Sequence, residues 1–191
     1  DPVTMTIPPL RLQRRIEGIS AVLLPFRSDG TWDLESYDAL VLRTWEAGID
    51  PAVNMDTGYA NLLTRVERQQ ILRRVSSLAQ GRRFIAGAFI EGEAGNPLDL
   101  YLREVTEITA AGGLPILFPC SAIQAYTGRE YVELLREIGR RCPQFLGFEL
   151  GTMFVPFGRI WDLDTFRALV EIPQLLGAKH SSLSRELEWQ R

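Results

Sequence analysis

The chain has 191 residues, 46% of them hydrophobic, a formal net charge of −3 and two cysteines. That length supplies one sizeable domain with an ordinary core, and the near-neutral charge, with no basic block or stripe, argues against nucleic acid as the main partner. No apolar run approaches the roughly 18 residues a membrane span needs, the start lacks a signal-peptide core, and Cys120 and Cys142 are too few for a disulfide framework and lack metal-ligand spacing, so the cytoplasm is the default compartment.

Residues 1–15 read as an extended N-terminal arm, with Pro8-Pro9 and three arginines, ahead of one domain over 16–191. A first strand runs from Ile19 to Leu24 and closes at Pro25; Phe26 to Thr31 is turn chemistry, and a helix from about Leu34 to Ala47 stops at Gly48. The second strand, Ile49 to Met55, runs into the polar loop Asp56-Thr57-Gly58-Tyr59. Thr64 and Glu67 form a capping box for a helix that puts Ile71, Leu72, Val75, Leu78 and Ala79 on one face and ends at Gly81. The third strand is Phe84 to Ile90, with Glu91 opening its loop; Asn96-Pro97 starts a helix that reaches Ala111. The fourth strand, Leu114 to Phe118, ends in Pro119-Cys120-Ser121, and Thr127 and Glu130 cap a helix to about Arg141. The fifth strand, Phe145 to Leu150, carries Glu149; Asp162 or Asp164 starts a helix to about Ile172. The sixth strand begins at Leu175 and ends in Lys179-His180-Ser181-Ser182, and Ser184 to Arg191 begins another helix.

The strand starts lie roughly thirty residues apart, the length of a strand–helix unit. The strands are apolar runs rather than clean alternations, as in parallel sheets covered on both faces. Even spacing, and the lack of a glycine-rich phosphate loop, favour a parallel (β/α)8 TIM barrel over a doubly wound sheet. A complete barrel takes about 250 residues, so the chain is expected to supply about the first six β/α units and to lack the last two.

In a barrel, active-site groups gather at the C-terminal ends of the strands. Lys179 is the only lysine and His180 the only histidine, so a Ser/His/Asp triad is not expected, and Cys120 lacks a separate histidine base. Lysine, unlike arginine, can lose its proton when buried and attack a carbonyl. With a free pKa of about 10.4 it is neutral only about once in 2,500 molecules at pH 7, and an apolar strand end can lower that pKa by several units. The competing reading is an arginine-rich chain that kept one lysine at a strand tip by chance. Schiff-base chemistry also needs a hydroxyl or carboxyl to carry protons. Thr57 and Glu149 are the candidates, expected to share one cavity with Lys179; their bland alternatives are a turn cap and a salt-bridged structural carboxylate. No cofactor and no metal are expected, and the partner is a small-molecule substrate.

These pieces together resemble the dihydrodipicolinate synthase/N-acetylneuraminate lyase family of class I aldolases. The resemblance rests on Gly18-Ile19 leading into Pro25 to Asp33, on Ala47-Gly48-Ile49-Asp50, on Thr57-Gly58 with Leu63-Thr64 and Glu67-Arg68, and on Ile172 to Lys179, in this order and spacing. It implies an eight-stranded barrel, assembly as a homo-oligomer (dimer or tetramer), and a Schiff base between the strand-six lysine, here Lys179, and pyruvate or another 2-keto acid. It makes Asp56, Gly58 and Ser121 the substrate-binding positions. Three departures follow from the same comparison. Asp56 replaces a threonine in the loop that holds the keto-acid carboxylate and would repel a carboxylate if ionised. The fifth strand reads Gly147-Phe148-Glu149-Leu150-Gly151, without the family's catalytic tyrosine, and Cys120-Ser121 replaces the tyrosine pair after strand four. The resemblance therefore implies a divergent aldolase or dehydratase acting on a 2-keto acid or sugar-acid-like substrate rather than an enzyme of lysine synthesis. The alternative is a non-catalytic barrel serving as a binding or assembly subunit.

Overall fold

A computed structural model describes residues 9, 10 and 12–189. Residues 1–8 and 11 of the expected arm, and 190 and 191 at the end of the expected last helix, lie outside the described residues. Six strands alternate with six helices: β1 (Ile19–Ala21), α1 (Leu34–Glu46), β2 (Asp50–Val53), α2 (Arg65–Ala79), β3 (Ile85–Ala88), α3 (Pro97–Ala110), β4 (Leu114–Leu117), α4 (Gly128–Gly139), β5 (Phe145–Leu150), α5 (Leu163–Leu169), β6 (Leu175–Ser181) and α6 (Arg185–Trp189). All neighbouring pairs are parallel, and the strand order is the chain order, β1 to β6. No helix among the described residues is long and apolar enough to cross a membrane.

Local chemistry sets the helix starts. The Thr64 and Thr127 side chains accept from the backbone N–H of Glu67 and Glu130, whose carboxylates accept in return from the threonine N–H groups, so both capping boxes are complete. Asn96 accepts from Leu98 N ahead of Pro97, and Asp162 accepts from Thr165 N at 2.8 Å, which settles Asp162 over Asp164 as the start of α5. Each such cap is worth about 1 kcal/mol.

Period-2 alternation divides the buried side chains into two sets. Val53, Ala86, Ala88, Leu117 and Phe145 face outward and pack under α1 to α5 with Val41, Val75, Val105, Leu135 and Ile138. Ala52, Ile85, Ile116 and Phe148 face the other way and form a separate inner cluster with Met55, Phe89 and Phe118. Burying each large side chain contributes about 1.5–3 kcal/mol, so both faces are committed, as parallel sheets require. One cleft of about 360 Å³ is lined by Ile19 and Ala21 of β1, by residues of β2 to β5 and by Gly177, Ala178 and Lys179 of β6. Residues of the first and last strands can line one cleft only if the sheet curls. The six units are the first six of a (β/α)8 barrel, and the inner cluster is its interior.

The β5–β6 pairing holds an irregularity that governs the site. Phe145 pairs with Leu175, but Leu146 pairs with Gly177, so Leu176 is an extra residue on β6. Beyond it Phe148 faces Lys179 and Glu149 faces His180.

Candidate active site

Lys179 shares the inner face with Phe148 because the two are register partners. Its Nζ lies 4.1 Å from the centroid of the Phe148 ring, and its side chain is 38% exposed at the C-terminal end of the sheet. The ring continues an edge-to-face row: Phe148 and Phe118 centroids are 5.0 Å apart, Phe118 and Phe89 5.3 Å. The amine therefore stands on an aromatic floor at the mouth of the barrel.

Asp56 is the charged group this geometry brings to the lysine. Its Oδ1 lies 3.8 Å from Lys179 Nζ, is buried and accepts no hydrogen bond. The loop that presents it starts at Asn54, which takes a left-handed conformation (φ 52°) and donates from Nδ2 to Arg68 O. Met55 is then buried, Asp56–Gly58 makes one 3₁₀ turn, and Tyr59, again left-handed (φ 63°), closes it with its ring edge-on to Phe26. Gly58 is buried where a Cβ would come within 3.0 Å of Val22 O, so the turn lies directly on the end of the β1 segment. Thr57 is exposed on that turn, at the rim.

Glu149 is not part of this arrangement, contrary to the expectation that it shares a cavity with Lys179. It is on the opposite face of the sheet, buried to 1% exposure, with Oε1 accepting from Trp161 N at 2.9 Å and Oε2 2.8 Å from His180 Nδ1. The two groups are bridged by one hydrogen, and His180 Nε2 in turn lies 3.5 Å from Glu188 Oε1 of α6. Glu149 ties the loop after β5 to the outer side of β6, beside a second cleft lined by Trp161, Phe166 and Leu169. Glu149→Gln replaces one accepting oxygen by a donor facing the histidine. We expect it to cost about 1–3 kcal/mol, lowering Tm by roughly 2–4 °C per kcal/mol, with Lys179 as reactive as before. An unchanged Tm combined with a less reactive Lys179 would return Glu149 to the site.

The remaining positions are tied up locally. Ser121 is exposed and donates from N and Oγ to Glu91, at 2.7 and 2.8 Å, joining the ends of β3 and β4. Cys120 is buried; desolvation pushes its thiol pKa up, and Tyr101 Oη is 3.6 Å from its sulfur, so it is not poised as a nucleophile. Phe148 and Glu91 are the components that motif reading missed. Glu91 was visible at a strand end, but nothing in the sequence pairs it with Ser121.

Fold and site together define a parallel (β/α) barrel with one lysine at the mouth end of strand six. No family model and no curated protein matches the sequence. Solved structures do match. Dihydrodipicolinate synthase from Agrobacterium tumefaciens superposes with a TM-score of 0.71 at 21% identity, over 88% of this chain and 56% of that one. The enzyme of the same name from Thermotoga maritima gives 0.70 at 19%, over 87% and 55%, and N-acetylneuraminate lyase from Mycoplasma synoviae 0.66 at 16%, over 91% and 57%. The chain thus has the barrel fold of these lyases and spans little more than half the length of each.

Proposed function

We propose that this chain is a divergent member of the dihydrodipicolinate synthase/N-acetylneuraminate lyase family, a lyase that forms a Schiff base between Lys179 and a carbonyl substrate. The observation that carries the reading is the placement of Lys179. The one amine-bearing side chain of the chain stands on the inner face of strand six, at the C-terminal end where barrel enzymes do their chemistry. An iminium at this nitrogen withdraws electrons from the neighbouring carbon and so eases the making or breaking of a carbon–carbon or carbon–oxygen bond there. The Phe148 face favours a positive nitrogen within its reach. Thr57, at the rim, is the hydroxyl available to move protons. The likeness to structures named as synthase and lyase supports 2-keto acids and sugar acids as the first compounds to test.

A specific observation favours a second reading, a non-catalytic barrel that binds a ligand or a partner. Lys179 already faces a carboxylate, Asp56, and the end of β5 offers no phenol to relay protons. Borohydride trapping separates the two. The full chain is incubated with 2-keto acids, sugar acids and neutral hydroxyketones under reduction, and the Lys179 peptide is weighed by mass spectrometry. A substrate-dependent mass gain on that peptide is the expected result. A folded protein that gains none with any of these carbonyl compounds is a binding barrel.

A further inference from the structure

We propose that Asp56 occupies, from the protein side, the place next to the reacting nitrogen that a substrate carboxylate would fill, so that the site selects carbonyl compounds bearing no carboxylate on the carbonyl carbon. The inference rests on the Schiff-base reading of Lys179 and narrows its substrate to aldehydes and hydroxyketones.

Charge at the mouth leads there. Asp56 Oδ1 is buried, accepts no hydrogen bond and lies 3.8 Å from Lys179 Nζ, too far for a hydrogen bond and well placed for a counter-ion. A 2-keto acid held as an imine on Nζ would bring its own carboxylate to within about 5 Å of Asp56, where two like charges at the effective dielectric of a protein surface disfavour binding by on the order of 10–100-fold. Two arginines that reach this end of the sheet are committed elsewhere. Arg68 donates to Leu63 O and Phe89 O and pairs with Glu93, and Arg159 donates to Tyr126 O. Glu91, bound to Ser121, adds a second carboxylate at the ends of β3 and β4.

A neutral carbonyl compound meets none of this repulsion. Asp56, closing from 3.8 Å, takes one proton from the Lys179 ammonium, and the neutral amine then attacks the carbonyl carbon to form the C–N bond. A second nitrogen proton passes to the carbonyl oxygen to give the carbinolamine, Asp56 returns its proton to that hydroxyl, and the C–O bond breaks to release one water as the nitrogen lone pair forms the iminium, which carries the single positive charge. The iminium is then balanced by the protein and not by the substrate.

Hydroxyacetone and pyruvate test this directly, because they differ only in CH2OH against carboxylate on the same carbonyl carbon. Trapping rates at Lys179 under cyanoborohydride are measured for both in the natural chain, in Asp56→Thr and in Asp56→Asn. The expected result is that the hydroxyacetone-to-pyruvate ratio falls by about 10–100-fold in both variants, chiefly through faster trapping of pyruvate. Two variants guard against a folding defect in either. An unchanged ratio in both overturns the assignment of Asp56 while leaving Lys179 as the nucleophile. Failure of both probes to mark Lys179 in all three proteins overturns the Schiff-base reading and this inference with it.

Discussion

Lys179→Arg is expected to yield a folded protein that forms no adduct with any carbonyl compound and whose turnover is lower by on the order of 10⁴–10⁶. Arginine keeps the positive charge opposite Asp56 and can still place a cation over the Phe148 ring, so both contacts that hold the present side chain survive. The lost property is a neutral amine, since a guanidinium does not deprotonate at accessible pH. Thermal unfolding should therefore be nearly unchanged while trapping disappears. Substantial turnover in the arginine protein would show that the chemistry does not pass through an imine.

Gly87→Ala should be the most damaging single-methyl change in the barrel interior, costing about 3 kcal/mol and lowering Tm by roughly 6–12 °C. A Cβ at this position would stand 2.1 Å from Asn54 O and 2.7 Å from the Phe118 ring. The ring can turn aside. The carbonyl cannot, because Asn54 begins the loop that presents Asp56 and is fixed by its bond to Arg68 O. The methyl must push the β2 loop away from β3, so loss of the Lys179–Asp56 contact should accompany the lower Tm. Calorimetry, together with the trapping ratio of hydroxyacetone to pyruvate, reads both consequences. An alanine protein as stable as the parent would mean that β3 leaves more room at Gly87 than its contacts indicate.

Much of the fold was legible because its signals are local. A threonine that accepts from the residue three positions on is one short motif, and both capping boxes and the Asn96-Pro97 start were readable as such. Strand ends were less so: the expected Ile49–Met55 stops at Val53 because Asn54 turns left-handed, a conformation asparagine adopts more readily than most residues but does not impose. The place of Lys179 at a strand end was legible from the apolar run before it. That Glu149 and Lys179 take opposite faces was not. Counting both strands from their starts, Phe145 and Leu175, sets Glu149 directly opposite Lys179. The extra residue at Leu176 moves the pairing by one, and one step along a strand is the difference between the interior and the helix layer. A bulge is a property of two strands together, so neither segment alone announces it. The alternative for Glu149 was a salt-bridged structural carboxylate; its contacts are to Trp161 N and His180 Nδ1.

The chain's only lysine and only histidine are adjacent, and the extra residue decides which of them enters the barrel. Taking Leu176 into the ladder opposite Leu146 would reverse the choice, setting an imidazole over the aromatic floor and the amine among the helices. For this strand, a shift of register by one is a change of reagent, made without altering either side chain.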